Sequence, residues 1–155
     1  MLNFKGVYTL EQFRDGRLIN KITLPNGIVN QGKNNVLDVM FNNSSQTDPW
    51  YIGLIDAAGF SALASTDTLA SHPGWSEAVF TGARQAWSPA AAANQRLTDT
   101  ATFTMTGAGT VKGIFLCDQA AGSAGILWST ALSPVGDVAV IAADTLNIQY
   151  DLSIP

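Results

Sequence analysis

The chain of 155 residues has one cysteine and one histidine, and these two scarcities remove much chemistry at once. Cys117 alone can form neither an internal disulfide nor a cysteine-based zinc site. Its setting, GIFLCD, is that of a buried apolar strand, where a thiol sits as a small hydrophobe. With a single imidazole as well, a transition-metal site would be mostly carboxylate, an unselective donor set for zinc. Charge is scarce too: charged residues make up 13% of the chain, about half the share of an ordinary soluble domain. The eight Lys and Arg are scattered and the net charge is -4, so no basic face is available to neutralise phosphates, which argues against nucleic acid as a partner. No apolar run approaches the roughly 18 residues of a membrane span. The start, MLNFKGVYTL, lacks the long apolar stretch after a basic head that marks a secretory signal. The expectation is a cytosolic site of synthesis, with neither secretion nor membrane insertion. Internal repeats and linker-like composition are also missing, which leaves one folded unit.

What is present is neutral and apolar. Hydrophobic residues make up 46% of the chain, and a chain of this size buries about two-thirds of the surface its unfolded form exposes. Ala, Ser, Thr, Asn and Gly stand where charges usually do. Weak net charge removes the self-repulsion that keeps monomers apart, so such a surface suits a chain packed against other protein.

The opening, VYTLEQFRDGRLINKITLPNG, has two β-capable runs joined by Asp15-Gly16, a pair that tolerates the positive φ angles of a tight hairpin. A projecting hairpin over residues 1–25 is expected, with Pro25-Asn26-Gly27 breaking its second strand. In NQGKNNVLDVMFNN, Val36, Leu37, Val39, Met40 and Phe41 cluster at helical spacing, giving one short helix near residues 33–42. Asn30 or Gly32 offers a start and the polar run from Asn42 an exit. From Trp50 onward the strand-length runs WYIGLID, EAVFTGARQAWS, TATFTMTG, GTVKGIFLCD, GILWSTAL and DTLNIQYDLSI are bounded by Gly, Pro, Asn or Asp. In TATFTMT, Thr alternates with Ala, Phe and Met, as in an antiparallel strand with one face in a core. The alanines of SPAAAANQRLTD lack larger apolar partners and read as a loop. The fold expected is an all-β antiparallel sandwich over residues 26–155, preceded by the hairpin.

The one imidazole, His72, has Asp67, Glu77, Ser71 and Ser76 nearby in sequence. A Ser-His-Asp site would use those types. The alternative is that SHPGW is a turn: Pro73 fixes backbone direction, Gly74 permits a tight path, Trp75 points into the sandwich and the imidazole bonds nearby backbone. The turn is the more economical of the two. Ten of the twelve acidic residues are aspartates, but they are dispersed and match no calcium loop. Glu77 with Asp99 or Asp56 could be nominated as a glycosidase pair, yet nothing in the spacing separates them from turn residues. The glycines of TGAGTVKG precede no helix, so a phosphate loop fails on context. No catalytic, cofactor or metal residues are assigned. The four tryptophans, Trp50, Trp75, Trp87 and Trp128, default to core or subunit contact, with a carbohydrate platform second.

Read in order, NGIVNQGKNNVLDVMFNN, WYIGLID, DTLASHPGWSEAV, VKGIFLCD, GILWSTAL and DTLNIQYDLSI resemble a family of small virion proteins that tailed bacteriophages encode near their head genes. The resemblance runs over about residues 26–152. It implies a head-decoration or cement protein, a jelly-roll-like β domain on the outer capsid surface that bridges neighbouring capsomers. Its partners would be the major capsid protein and copies of itself, as a dimer or trimer, and its location the virion after synthesis in the host cytoplasm. The hairpin, outside the matched stretch, is the expected docking element. Tyr8, Leu10, Phe13, Arg14, Arg17, Ile19 and Ile22 are its candidate contact residues, with Phe60 on a loop. A rival expectation is a tail-tip or fibre-associated module that binds a host glycan or receptor, which would present two or more solvent-facing tryptophans in one groove.

Overall fold

The computed structural model describes residues 3–155, so the first two residues of the expected hairpin lie outside it. The fold is an all-β, antiparallel, jelly-roll-like sandwich that wraps almost into a closed barrel. Period-2 patterning explains its central strands. In β1 (Lys5–Arg14) Gly6, Tyr8, Leu10 and Gln12 turn inward while Val7, Thr9 and Glu11 turn out. A tight turn at Asp15 and Gly16, with φ of 49° and 73°, returns the chain as β2 (Arg17–Ile28). Helix α1 (Asn30–Phe41) follows. Then come β3 (Trp50–Asp56), a single 3-10 turn (Val79–Thr81), β4 (Gln85–Trp87), β5 (Arg96–Thr104), β6 (Gly109–Cys117), β7 (Leu127–Leu132), β8 (Val138–Val140) and β9 (Thr145–Ser153).

Among the described residues the strand order is β4-β3-β6-β7-β2-β1-β9-β5, with β8 beside β6. Every pairing is antiparallel. Strand β2 joins the two layers: its register with β1 runs to Pro25 opposite Val7, and from Asn26 it pairs instead with β7, opposite Ala131. Pro25 therefore ends no strand, contrary to the sequence reading. The proline falls where β2 changes neighbour, a place where a missing N–H is tolerated. At the other end of the order β4 approaches β5, and the backbone N–H of Ser88 donates to Asp99 Oδ2 at 2.9 Å.

The main core gathers inward residues from both layers, among them Tyr8, Leu10, Ile22, Leu24, Ile52, Leu54, Phe103, Ile114, Leu146, Ile148 and Tyr150. Tyr8 and Tyr150 stack at 4.3 Å, and their hydroxyls are satisfied by Ser129 Oγ at 2.9 Å and by Asn26 Nδ2, which donates at 2.7 Å. Desolvation raises the pKa of both phenols. A smaller cluster of Val29, Ile55, Leu69, Trp75, Phe115, Cys117 and Leu127 lies under the long loop that follows β3.

These contacts correct the hairpin reading. β1 is hydrogen-bonded on both sides, to β2 and to β9, so the segment is built into the body and is no separate arm. Tyr8, Leu10 and Ile22, expected as contact residues, are 0%, 1% and 5% exposed. Their alternation was right for a strand; what the sequence did not show is that neighbours cover both edges. The outer end of the hairpin is fastened by Asp144. Its buried carboxylate accepts from Arg14 Nε and Nη2 at 2.8 and 2.7 Å, from Gln12 Nε2 at 2.9 Å and from the Ile141 N–H at 3.1 Å. The stretch 77–88, expected as one strand, contains only the 3-10 turn and the three residues of β4.

Candidate binding surface

His72 sits where the turn reading put it. Its Nδ1 lies 2.9 Å from the Trp75 carbonyl oxygen, and its ring stacks on the indole at 3.8 Å. Asp67, five residues before His72, is engaged elsewhere: itself buried, it accepts from the Trp75 indole N–H at 3.0 Å and from the Ala64 N–H at 3.0 Å. The loop is thus a scaffold that inserts Trp75 against Phe115. Glu77, nominated above for acid-base work, forms a two-point ion pair with Arg84 at 2.9 and 2.7 Å. Arg84 also donates to the Gln119 carbonyl and lies 5.3 Å from the centre of the Phe115 ring. Among the described residues no group of three or more His, Cys, Asp or Glu is placed to hold a metal ion.

The unusual surface is on α1. The helix is held by its first turn. The Val29 N–H donates to the Trp128 carbonyl at 3.1 Å and that of Asn30 to the Ser65 carbonyl at 2.8 Å. Gln31 fixes two loops, donating to the Gly125 carbonyl at 3.0 Å and accepting at Oε1 from the N–H groups of Leu69 and Leu127. Gly32 is the buried residue of the helix, and a Cβ there would stand 2.4 Å from the Trp128 carbonyl oxygen, so only glycine lets the helix come this close to β7. Val36 reaches the main core. Val39 is half-buried, and the other three residues of the cluster point away: Leu37 is 57% exposed, Met40 66% and Phe41 81%. With Phe4, Ile28, Trp128 and Ile154 they line an open apolar groove of about 530 Å³.

The expected contact residues divide. Arg17 and Ile19 are exposed at the hairpin tip, next to exposed Leu18. Phe13 is half-buried, and Arg14 is tied to Asp144. Phe60, expected as an exposed loop aromatic, is half-buried against the smaller cluster with the Lys112 ammonium 5.3 Å over its ring. The sequence reading missed the α1 face. Its signal was present, since Val36, Leu37, Val39, Met40 and Phe41 were recognised as one cluster, but helical spacing does not say which way the cluster faces. Compared with family models, curated proteins and solved structures, the chain matches none. What the arrangement can do chemically is adhere: it offers a contiguous apolar face with one ammonium, Lys33, at its rim.

Proposed function

We propose that this chain is a non-enzymatic virion protein of a tailed phage, a decoration or cement protein that binds the outer capsid and stabilises contacts between capsomers. The α1 face carries the reading. Leu37, Met40 and Phe41 are each more than half exposed, and a contiguous exposed apolar patch marks a contact surface in a folded protein. The hairpin tip, with Leu18 and Ile19, supplies a second point of attachment. The occupant of the α1 groove is the major capsid protein, and copies of the chain meet as a dimer or trimer around a capsomer axis. Each contact is modest; repetition over a symmetric shell makes the sum large, because linked contacts must open together.

The sequence motifs that resemble phage virion proteins, the sparse charge and the neutral β surface all support this assignment. The tail-tip or fibre reading draws less support: Trp75, Trp87 and Trp128 are 5%, 3% and 6% exposed, whereas a glycan groove needs indole faces open to solvent. The test is attachment of the purified chain to phage heads stripped of decoration protein, followed by sedimentation and particle imaging. Binding to heads at symmetric sites is expected, abolished by the double substitution Leu37→Ser and Phe41→Ser. Density only at the distal end of a fibre, or head binding indifferent to that substitution, would overturn it.

A further inference from the structure

Trp128 lines a second cavity besides the α1 groove: a cleft of about 420 Å³ whose walls include Trp50, Trp87, Leu116 and Leu152, with Asp48 among its polar residues. The rings of Trp50 and Trp128 stand 5.7 Å apart at 56°, forming an angled aromatic wall. The indole N–H groups of Trp87 and Trp128 are engaged inside the fold, donating to the carbonyl and the hydroxyl of Tyr150 at 3.3 and 3.4 Å. Both indoles are almost wholly buried, 3% and 6% exposed, so they back the cleft and offer no free donor, and the half-buried Trp50 is the ring that a ligand can touch.

The polar side of the cleft is formed by Gln46, Thr47 and Asp48, and Asp48 is the one charged side chain in its lining. Asp48 Oδ1 accepts from Ser88 Oγ at 2.8 Å, and the N–H of the same serine donates to Asp99 Oδ2. Two carboxylates thus hang on one residue, and neither forms an ion pair with a cation among the described residues. No Lys or Arg lines the cleft. An anion would meet a carboxylate with nothing to oppose it. A sugar would find one accessible indole, Trp50, too little aromatic face for a stacking platform. A cation on an apolar stem uses both features, since π faces and a carboxylate each favour positive charge. Lysine fits better than arginine, because Ser88 occupies Oδ1 and leaves Asp48 one free oxygen, which suits a point charge more than a two-pronged guanidinium.

We propose that this cleft receives a lysine side chain, carried on an exposed segment of a partner protein, with its methylene stem along Trp50 and its ammonium at Asp48. The proposal builds on the adhesive reading above and names the chemistry of the anchor. It is tested on the isolated chain with small probes, so its failure and that of the capsid assignment are separable.

The probes are N-acetyl-lysine methylamide and n-pentylamine, titrated while the indole N–H resonances of Trp50, Trp87 and Trp128 are followed by NMR. For ligands of this size, saturable shifts at concentrations on the order of 10 mM are expected. The neutral n-pentanol should bind about tenfold more weakly, and Asp48→Asn, which retains an oxygen for Ser88, should weaken the amines by about tenfold without touching n-pentanol. Asp99→Asn should have a smaller effect of the same sign. Equal binding of amine and alcohol would reduce the cleft to an apolar hole and overturn the proposal. So would unchanged amine binding by Asp48→Asn, preferential binding of a neutral hexose such as galactose, or no saturable shift at all. Loss of head attachment with amine binding intact would count against the capsid assignment alone.

Discussion

Strand β1 and helix α1 carry comparable apolar content and place it oppositely. In β1, Tyr8 and Leu10 are sealed between two layers, and only alternate positions reach solvent. In α1, Leu37, Met40 and Phe41 stand in solvent while the residue that makes the closest approach to the body is Gly32. The difference is one of anchorage. A central strand is fixed along its whole length by ladders on both edges, so its inward face is decided for every residue. The helix is anchored at its N-terminal turn by backbone hydrogen bonds and by Gln31, Val36 touches the main core, and Leu37, Met40 and Phe41 ride on top. Apolar residues in β1 hold the fold; Leu37, Met40 and Phe41 are free for a partner.

The sharpest test of that contrast is Leu10→Ala, which should cost about 2 to 5 kcal/mol in denaturant unfolding, as core truncations do. A cost below about 0.5 kcal/mol would place β1 on the surface in solution and erase the contrast. Asp144→Ala comes next, at about 2 to 4 kcal/mol, because it strands buried donors of Gln12 and Ile141 and releases Arg14.

Asp144 also gives the hairpin attachment a pH signature. Hydrogen bonds from Arg14, with others from Gln12 and Ile141, hold its carboxyl well below the usual aspartate range. The folded state then keeps it ionised where the unfolded chain already binds a proton. Its stabilisation is complete above about pH 5 and declines as pH falls past the ordinary value near 3.9 toward the lower folded one. Asp144→Asn should flatten that part of the stability-versus-pH curve; an unchanged slope would mean the fastening is absent.

Gly32→Ala tests the closest approach of the helix to β7. The new Cβ meets backbone, not a movable side chain, so α1 must shift, at a cost of about 1 to 3 kcal/mol with helical circular dichroism reduced or displaced. The smallest expected effect on stability is the most telling. Phe41→Ser should alter unfolding by no more than about 0.5 kcal/mol, yet weaken attachment to heads. A large loss of stability would assign Phe41 to the fold and remove the reason for treating α1 as a contact surface.

Much of the architecture was legible because local patterns were unambiguous. The alternation of TATFTMT and LNIQYDLSI specified half-buried strands, and Asp15-Gly16 specified the turn where both φ angles are positive. SHPGW declared itself a turn, since Pro73 and Gly74 restrict the path whatever surrounds them. The stretch 77–88 misled because EAVF and RQAW are strand-like in composition, but Gly82, with φ 71°, interrupts them and only Gln85–Trp87 finds a partner strand. The binding surface was hidden for a related reason. Periodicity says that Val36, Leu37, Val39, Met40 and Phe41 share a side of a helix; it is silent on whether that side meets the body.

The sequence by itself determined a sparsely charged, all-β chain with one helix and one hairpin, because composition, turn chemistry and hydrophobic period act locally. Tertiary structure alone decided that β1 is interior, that α1 turns its apolar side outward, and that Trp50, Trp87 and Trp128 converge on one cleft beside Asp48. Those outcomes depend on which strand edges find partners and on how closely Gly32 lets a helix approach β7, and both are set by contacts between residues far apart in the chain.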